Sequence, residues 1–415
     1  MRRTHKYRLK PSDDTAEKLD RHRDICRQAY NHFLRRLNRV EDTSRCDELG
    51  VLPDLKKWWG DLGDVYSRTL QNVVERLYDN LETLRGLKEE GRHVGHLRWK
   101  SPREYRSFTY RQSGFKLHET SGRTVLSLSK IGDVPIVLHR EIPGDAALKQ
   151  VTVKREPTGE WFASISLETG DDPPAKPDDP ERCVGIDVGV VKFTHDTDGF
   201  ALGSLDLSAE RNRLDRERRK LSRKEHGSAN WERQRRVVAR RYADMKRKRR
   251  DFLHRVSAYY AREYDLVAVE DLNIGGMLES PSNSRNIASA AWGEFRRMLE
   301  YKCEREGTHF VAVDPSGTTT ECSRCGVATD KPLWVREHSC PACGFTADRD
   351  ANAAVNVLSR GLDHVGVVHP ERTPSETATA TGTDVSPVPA SRVMEQGSPA
   401  LNEPAAVRER VSRTG

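Results

Sequence analysis

The chain has 415 residues, 35% hydrophobic and 32% charged, with a mean hydropathy of −0.76. That is room for about two to three domains with compact cores, while the absence of any run of about 18 apolar residues excludes a spanning helix. The formal charge of +7 hides an asymmetry: between Arg211 and Arg255 stand 19 Lys/Arg against 6 Asp/Glu, a local excess of 13, so the remainder carries −6; concentrated positive charge on an acidic chain points to a polyanion, nucleic acid first, against the plainer reading of a solvated helix face.

Met1-Arg2-Arg3-Thr4-His5-Lys6 leads into no apolar stretch, so no secretory signal is expected. Residues 1–10 read as a strand. After Pro11-Ser12-Asp13, Leu19, Cys26, Tyr30, Phe33 and Leu37 recur at helical spacing, and Tyr66, Leu70, Val73, Leu77, Leu81 and Leu84 repeat the pattern; both stripes predict core-facing helices. Roughly 105–170 alternates as strands do, for example Val151-Thr152-Val153-Lys154 and Trp161-Phe162-Ala163-Ser164-Ile165. The N-terminal part is therefore expected to be a β unit interrupted by a helical insertion. The Pro/Asp-rich segment 171–182 reads as a linker. Beyond it, Cys183-Val184-Gly185-Ile186-Asp187-Val188 and Val191–His195 read as a strand and its hairpin partner. Buried strands are expected at Asp265–Glu270 and Phe310–Val313, with a long basic helical segment before the first. A helix carrying Trp292, Phe295, Leu299 and Cys303 joins them, and a final helix runs from Arg349 to Arg360. From about Gly366 the chain is rich in Pro, Ser, Thr and Ala without one aromatic residue, a composition that does not offset the entropy cost of ordering.

Four of the eight cysteines form two Cys-x2-Cys pairs, Cys322/Cys325 and Cys340/Cys343, separated by 14 residues. Eight cysteines are too few for a disulfide scaffold in a chain this long, and the pairs suit metal binding in a reducing cytosol. Each two-residue spacing lets a tight turn aim two thiolates at one ion, and Gly326 and Gly344 permit the positive φ such turns need. The expected site is a closed, structural four-cysteine zinc; iron of the rubredoxin kind, or no metal, are the other readings. His338 is a spare donor read as a bystander, and Cys26, Cys46, Cys183 and Cys303 read as buried small hydrophobes.

Three carboxylates stand out in the α/β part. Asp187 shares a strand face with Gly185 and Gly189, which suggests open space for a metal and a phosphate. Glu270 ends an apolar strand, where its charge needs solvent or a cation, and Asp350 opens the last helix. Each alone has an ordinary reading as a turn acid, a strand terminus or a helix N-cap. Together they fit a two-metal site for phosphodiester cleavage, with Asp271 and Asp348 as rival positions.

The segments GIDVGVVKF (185–193), VAVEDLNI (267–274), CSRCG (322–326) and CPACGFTADRDANAAVN (340–356), with the basic segment leading into DFLHRVS (251–257), resemble the TnpB (OrfB) family of transposon-encoded proteins, compact relatives of type V CRISPR effector nucleases. KYRLKP (6–11), CRQAYN (26–31), YRSFTYRQSGFKL (105–117) and GEWFASI (159–165) extend the likeness more loosely, over about residues 5–362. The resemblance implies a mixed α/β chain: a wedge-like, β-barrel-like unit (1–10 and 92–170), a helical recognition insertion (11–91), the linker, a RuvC-like (RNase H-like) nuclease core (183–317 and 348–364), an inserted zinc ribbon (318–347) and a tail (365–415). It selects Asp187, Glu270 and Asp350 over the rivals as ligands of two Mg2+ or Mn2+ ions, and Cys322, Cys325, Cys340 and Cys343 as ligands of one Zn2+. It implies an RNA-guided DNA endonuclease of the prokaryotic cytosol and nucleoid, not of a membrane, which binds a guide RNA from the transposon end and cuts double-stranded DNA beside a short transposon-adjacent motif. Thr319-Thr320-Glu321 departs from the family pattern ahead of the first knuckle without touching ligands or acids. A nuclease-dead guide-RNA repressor, a strand-transfer transposase and a simple zinc-ribbon DNA-binding protein are the competing readings; the first conflicts with the presence of all three acids, and the last leaves them unexplained.

Two segments suit nucleic acid. Arg92 to Lys116 holds seven Lys/Arg and one acid among Trp99, Tyr105, Phe108, Tyr110 and Phe115, cations for phosphates with rings for bases; about half the rings are expected in the core instead. Its contact residues are expected to be Arg98, Lys100, Arg106 and Arg111, and those of the second segment Arg247, Lys248, Arg249 and Arg250.

Overall fold

A computed structural model describes residues 2–40, 43–120, 122–279, 291–332, 334–366 and 388–389. The chain divides into two compact units, Met1–Asp172 with Arg235–Arg240, and Pro173–Gln234 with Arg241–Gly415.

In the first unit, β1 (Arg2–Leu9) is followed by α1 (Asp13–Leu37), α2 (Arg45–Trp58) and α3 (Ser67–Glu89), then by β2 (Ser107–Arg111), β3 (Phe115–Thr120), β4 (Arg123–Leu128), β5 (Gly132–Val137), β6 (Ala147–Arg155) and β7 (Trp161–Glu168). The strands form one antiparallel sheet in the order β2-β6-β7-β1-β5-β4-β3, so the first strand lies inside the sheet, beside the last. The Ser12 side chain caps α1 by accepting from Thr15 N at 3.3 Å, and Leu19, Cys26, Tyr30 and Phe33 are buried with Leu70, Val73 and Leu77 of α3. The periodicity did not announce α2: Gly50 and Pro53 interrupt it, while a Ser44/Asp47 capping box starts it. Tyr105, Phe108 and Tyr110 are core, and of the rings between 92 and 116 Trp99 is the exposed one, at 58%; alternation along β2 turned those rings inward, so the single-strand-binding pattern reduces there to one tryptophan.

The second unit is built on a five-stranded sheet, β10-β9-β8-β12-β13. Its strands are β8 (Cys183–Val188), β9 (Lys192–Asp196), β10 (Ala201–Gly203), β12 (Leu266–Glu270) and β13 (His309–Val313), with β11 (Leu205–Asp206) outside the sheet. β8, β12 and β13 are parallel, and β9 turns back antiparallel to β8. The basic segment folds as α4 (Ser208–Ser222) and α5 (Ala229–Glu263); α6 (Ile274–Glu279) and α7 (Trp292–Glu306) join β12 to β13. Val184, Ile186, Val267 and Val269 pack with Phe252, Val256, Phe295 and Leu299 from α5 and α7 on one face. Cys183, Leu266 and Ala268 pack on the other against Val357, Leu358 and Leu362 of α8 (Arg349–Val365). Between β13 and α8 lies a small hairpin, β14 (Glu337–Ser339) with β15 (Thr346–Asp348). The tail expected over 365–415 falls outside the described residues, apart from Val365 and Gly366, which end α8, and Val388–Pro389, which pair with β11.

Candidate active site

Strand register places the first two acids. Ala268 pairs with Gly185 and Val269 with Ile186, so the next residues, Glu270 and Asp187, stand side by side at the carboxyl ends of parallel strands, where open α/β sheets present their sites. Alternation puts both on the face that α8 covers. Across the hairpin, His195 is registered opposite Asp187.

The last helix brings the third acid. A Cβ on Gly185 would lie 2.2 Å from the Ala354 carbonyl oxygen and 2.6 Å from Leu358 N, and one on Gly361 would lie 2.5 Å from the Ala268 Cβ. The glycine beside Asp187 therefore serves close helix–strand contact; the open space expected there is filled by helix backbone. Gly189 is no freer, since a Cβ would sit 2.7 Å from the Lys192 carbonyl oxygen. The N-cap of α8 is Asp348, not Asp350: Asp348 Oδ1 accepts from the backbone N–H of Asp350 at 2.9 Å and of Ala351 at 3.3 Å. Capping thus leaves the Asp350 carboxylate for other partners. Lys192 Nζ, on an almost fully buried side chain, lies 3.0 Å from Asp348 Oδ2 and 3.6 Å from Asp350 Oδ2. Arg336 approaches Asp350 Oδ1 at 3.7 Å.

The electrostatics follow from crowding. Burial, then Glu270 and Asp350, push the Asp187 carboxyl well above the usual carboxylate range. Burial also raises Glu270, although Thr318 Oγ1 donates to its Oε1 at 2.6 Å and Arg360 favours its charge; neither solvent nor, among the described residues, a direct ion pair accommodates it. Burial would raise Asp348 as well, but His195 and Lys192 outweigh it and hold that carboxyl well below its usual range. Carboxylates that suppress one another's ionisation are relieved by a divalent cation, and their oxygens suit a hard one. Asp271, the rival to Glu270, is half-exposed and paired with Arg296. A cavity of about 510 Å3 adjoins Glu270, lined also by Trp292, Arg296 and Arg297. Sequence reasoning passed over Lys192, His195, Thr318 and Arg336. None of the four was fixed by a local signal: pairing the expected hairpin at Val188 and Val191 sets Lys192 opposite Asp187, whereas the structure pairs Val188 with Thr194 and so sets His195 there.

The four cysteines converge. Cys322 Sγ lies 3.8 Å from Cys343 Sγ, Cys325 Sγ lies 3.5 Å from Cys340 Sγ, and all four sulfurs are within 4.8 Å of one another. A tetrahedral zinc with Zn–S near 2.3 Å needs sulfurs about 3.8 Å apart, so the set fits a zinc ribbon. Gly326 and Gly344 have φ of +74° and +70°, and each donates its N–H to the carbonyl of the cysteine four residues earlier. A backbone hydrogen bond from Cys343 leads the influences that pull the Cys340 thiol down to about 6. His338 stays outside the set, buried and bonded through Nδ1 to Lys331 at 2.5 Å. The ribbon is tied to α8: Asn352 donates to the Glu321 carbonyl at 2.7 Å and accepts from Ser323 N at 2.9 Å, and Asn356 donates to the Thr318 and Glu321 carbonyls. Of the remaining cysteines, Cys26, Cys183 and Cys303 are buried but Cys46 is exposed, because it falls on the outer side of the unanticipated α2.

The cationic candidates separate. Arg98, Arg106 and Arg111 are exposed and Lys100 half-buried, with Arg111 paired to Glu75 at 2.7 Å. Arg247 and Arg250 are exposed. Lys248 is drawn in against Glu210 at 2.7 Å, and Arg249 is buried enough to lower its pKa. A run of four cations on a packed helix cannot turn every side chain outward, so two of them serve the interior.

Three family models match the chain: the OrfB_IS605 model, described as "Probable transposase", over residues 164–281, a "Helix-turn-helix domain" model over 1–40, where the structure has a strand and one helix, and a "Cas12f1-like, TNB domain" model over 292–357. A Streptomyces pristinaespiralis protein provisionally named an RNA-guided DNA endonuclease is 34% identical over 381 residues, covering 87% of this chain and 90% of the relative. InsQ of Escherichia coli (strain K12), similarly named, is 28% identical over 383 residues, 86% and 91% of the two chains. The Cas12f1 chain of a cryo-EM Cas12f1–sgRNA–target DNA complex shares the fold, with a TM-score of 0.55 over 83% of each chain at 14% identity.

Proposed function

Because the chain belongs to the TnpB (OrfB) family, we propose that it is an RNA-guided, divalent-metal-dependent DNA endonuclease of a transposable element, cutting double-stranded DNA next to a short transposon-adjacent motif. The observation that carries the reading is the convergence of Asp187, Glu270 and Asp350 from two parallel strands and one helix, with Asp187 raised by burial and by the charge of the other two.

In this reading 183–317 and 348–364 are the RuvC-like core and 318–347 its ribbon. Residues 1–10 with 92–170 and the helical 11–91 form the guide- and target-binding part, with 171–182 joining the two. Asp187, Glu270 and Asp350 hold two Mg2+ or Mn2+ ions, and Cys322, Cys325, Cys340 and Cys343 hold the structural Zn2+. Bound at the acids, the ions supply positive charge to the scissile phosphate and lower the pKa of an attacking water. The chain's own part is positional: β8 and β12 align two carboxylates, Thr318 orients Glu270, and α8 delivers Asp350. Sequence is read by guide pairing, while protein cations grip backbone; Arg98, Arg106, Arg111, Arg247 and Arg250 are the exposed candidates, and a guide RNA and duplex DNA are the partners.

The test is to purify the protein with its copurifying RNA, sequence that RNA, and assay cleavage of a matching target. Asp187→Ala, Glu270→Ala and Asp350→Ala are each expected to lower cleavage at least about a thousandfold with RNA binding kept, and a double variant to look no worse than a single. Asp271→Asn is expected to keep most activity. Normal cutting by all three alanine variants would place the chemistry elsewhere.

A further inference from the structure

We propose that the cavity of about 510 Å3 beside Glu270 is a nucleobase pocket, which takes one base of the DNA strand being cut, next to the scissile phosphate. The inference deepens the nuclease reading and rests on it for the identity of the strand. The acids deal with a phosphate; the cavity is placed to deal with the nucleoside beside it. Alternation turns the Asp187 and Glu270 carboxylates toward α8, and turns Val188 and Val269, one residue along each strand, toward α7. The cavity lies on that α7 side, walled by Val188, Val269, Ile274, Trp292 and Phe295, with Glu270 on its border. A strand whose phosphate sits at the acids therefore has its neighbouring base within reach of the cavity, around the same strand ends.

The lining selects the kind of occupant. The volume falls within the roughly 300–1,000 Å3 of small-molecule sites, whose walls are mostly apolar with a few placed polar groups. Apolar and aromatic walls suit a flat heteroaromatic ring and give a bare phosphate little. Two donors set among those walls lack an acceptor: Trp292 is 6% exposed, yet its Nε1 is buried with no hydrogen-bond partner, and the same holds for Arg296 Nε, although Nη1 of that guanidinium donates to Asp271. Buried donors are nearly always paired, and base edges carry the carbonyl and ring-nitrogen acceptors that would pair them. Arg297, exposed and also lining the cavity, adds a cation for the next phosphate of the same strand.

The test uses the full-length, zinc-loaded protein with its guide RNA, and matching targets in which one base at a time around the cut is replaced by an abasic site. Wild type is expected to cut about tenfold or more slowly when one base adjoining the cut is missing, the scale of one base–aromatic stack, and to tolerate losses further away. Gly293 supplies a filling variant: outside its own helical turn, the atom nearest a Cβ there is Ile274 Cγ1 at 3.8 Å, an ordinary contact, and leucine is a better helix former than glycine. Gly293→Leu is expected to slow the intact target by a similar factor and to add nothing on the abasic one. In the non-cutting Asp187→Ala protein, 5-iodouracil at that position is expected to photo-crosslink to Trp292 or Phe295, read by mass spectrometry. Equal cutting of every abasic target, additive effects of Gly293→Leu and the missing base, or a crosslink to other residues would each overturn the pocket. The wild-type abasic scan decides by itself if Gly293→Leu does not fold. Failure of the nuclease reading looks different: Asp187→Ala would then still cut, and the cut strand would be withdrawn as the occupant whatever the scan shows.

Discussion

The cysteine cluster and the carboxylate cluster are each made of four potential ligands within one unit, but they are assembled in opposite ways. The cysteines come from two tight turns within 22 residues, and each turn aims its own pair of sulfurs. The carboxylates come from two strands, a helix cap and a helix turn spread from Asp187 to Asp350, and no local turn sets any of their separations. The first is a motif that needs a fold only to bring two halves together. The second exists only once β8, β12 and α8 have packed. The link between them is physical, since Asn352 and Asn356 bind the ribbon to the first turns of the helix that carries Asp350.

That link predicts an unequal exchange of damage. Cys322→Ser is expected to release the zinc, destabilise the ribbon by about 3 kcal/mol or more, and raise hydrogen exchange over 318–356, with cleavage falling because α8 loses its anchor. Asp187→Ala is expected to leave zinc content and ribbon protection untouched. A metal-free but fully protected ribbon, measured by elemental analysis and exchange mass spectrometry, would break the comparison.

Asn352→Ala probes the link alone. Two hydrogen bonds of a fully buried amide disappear, and the Ser323 N–H and Glu321 carbonyl each lose that partner. A cost of about 1–3 kcal/mol in urea unfolding is expected, with zinc retained and cleavage reduced. Unchanged cleavage at that stability loss would mean that the ribbon and the acids are mechanically independent.

The smallest effect separates the clusters by pH. Asp187 has a folded-state pKa above its unfolded value. Its favourable contribution is therefore present below the ordinary carboxylate range and is lost as pH rises through the folded value. In protein stripped of divalent cations, Asp187→Asn is expected to stabilise by about 1–2 kcal/mol near pH 8 and hardly at all near pH 4. Saturating Mg2+ should reverse the order, since the variant has given up a ligand. A pH-independent difference would show that burial and the neighbouring acids do not raise Asp187 in the folded chain.

Several features were legible without a structure, and each was local. The pairing of the cysteines follows from two-residue spacing, the helices α1 and α3 from their stripes, and the strand faces of β8 and β12 from alternation. Where a second demand overrode the local pattern, the reading went astray. Gly185 was read as room for a ligand, whereas α8 uses it to approach the strand. Asp350 had the position of a cap, but Asp348 makes the capping bonds. The helix α2 was hidden by Gly50 and Pro53, and Lys248 and Arg249 were counted as surface cations although packing turned them inward.

What the sequence determined alone is therefore what short-range geometry dictates: two knuckles, a sequence of strands and helices, and which residues of each could share a face. Only the tertiary structure decided that Glu270 stands beside Asp187, that His195 and Lys192 join the acids, and that the ribbon holds the helix bearing Asp350. The β8–β12 register and the helix–strand contact are set by pairings between residues 83 to 173 positions apart in the chain, and no pattern within a single segment encodes which of its neighbours will meet.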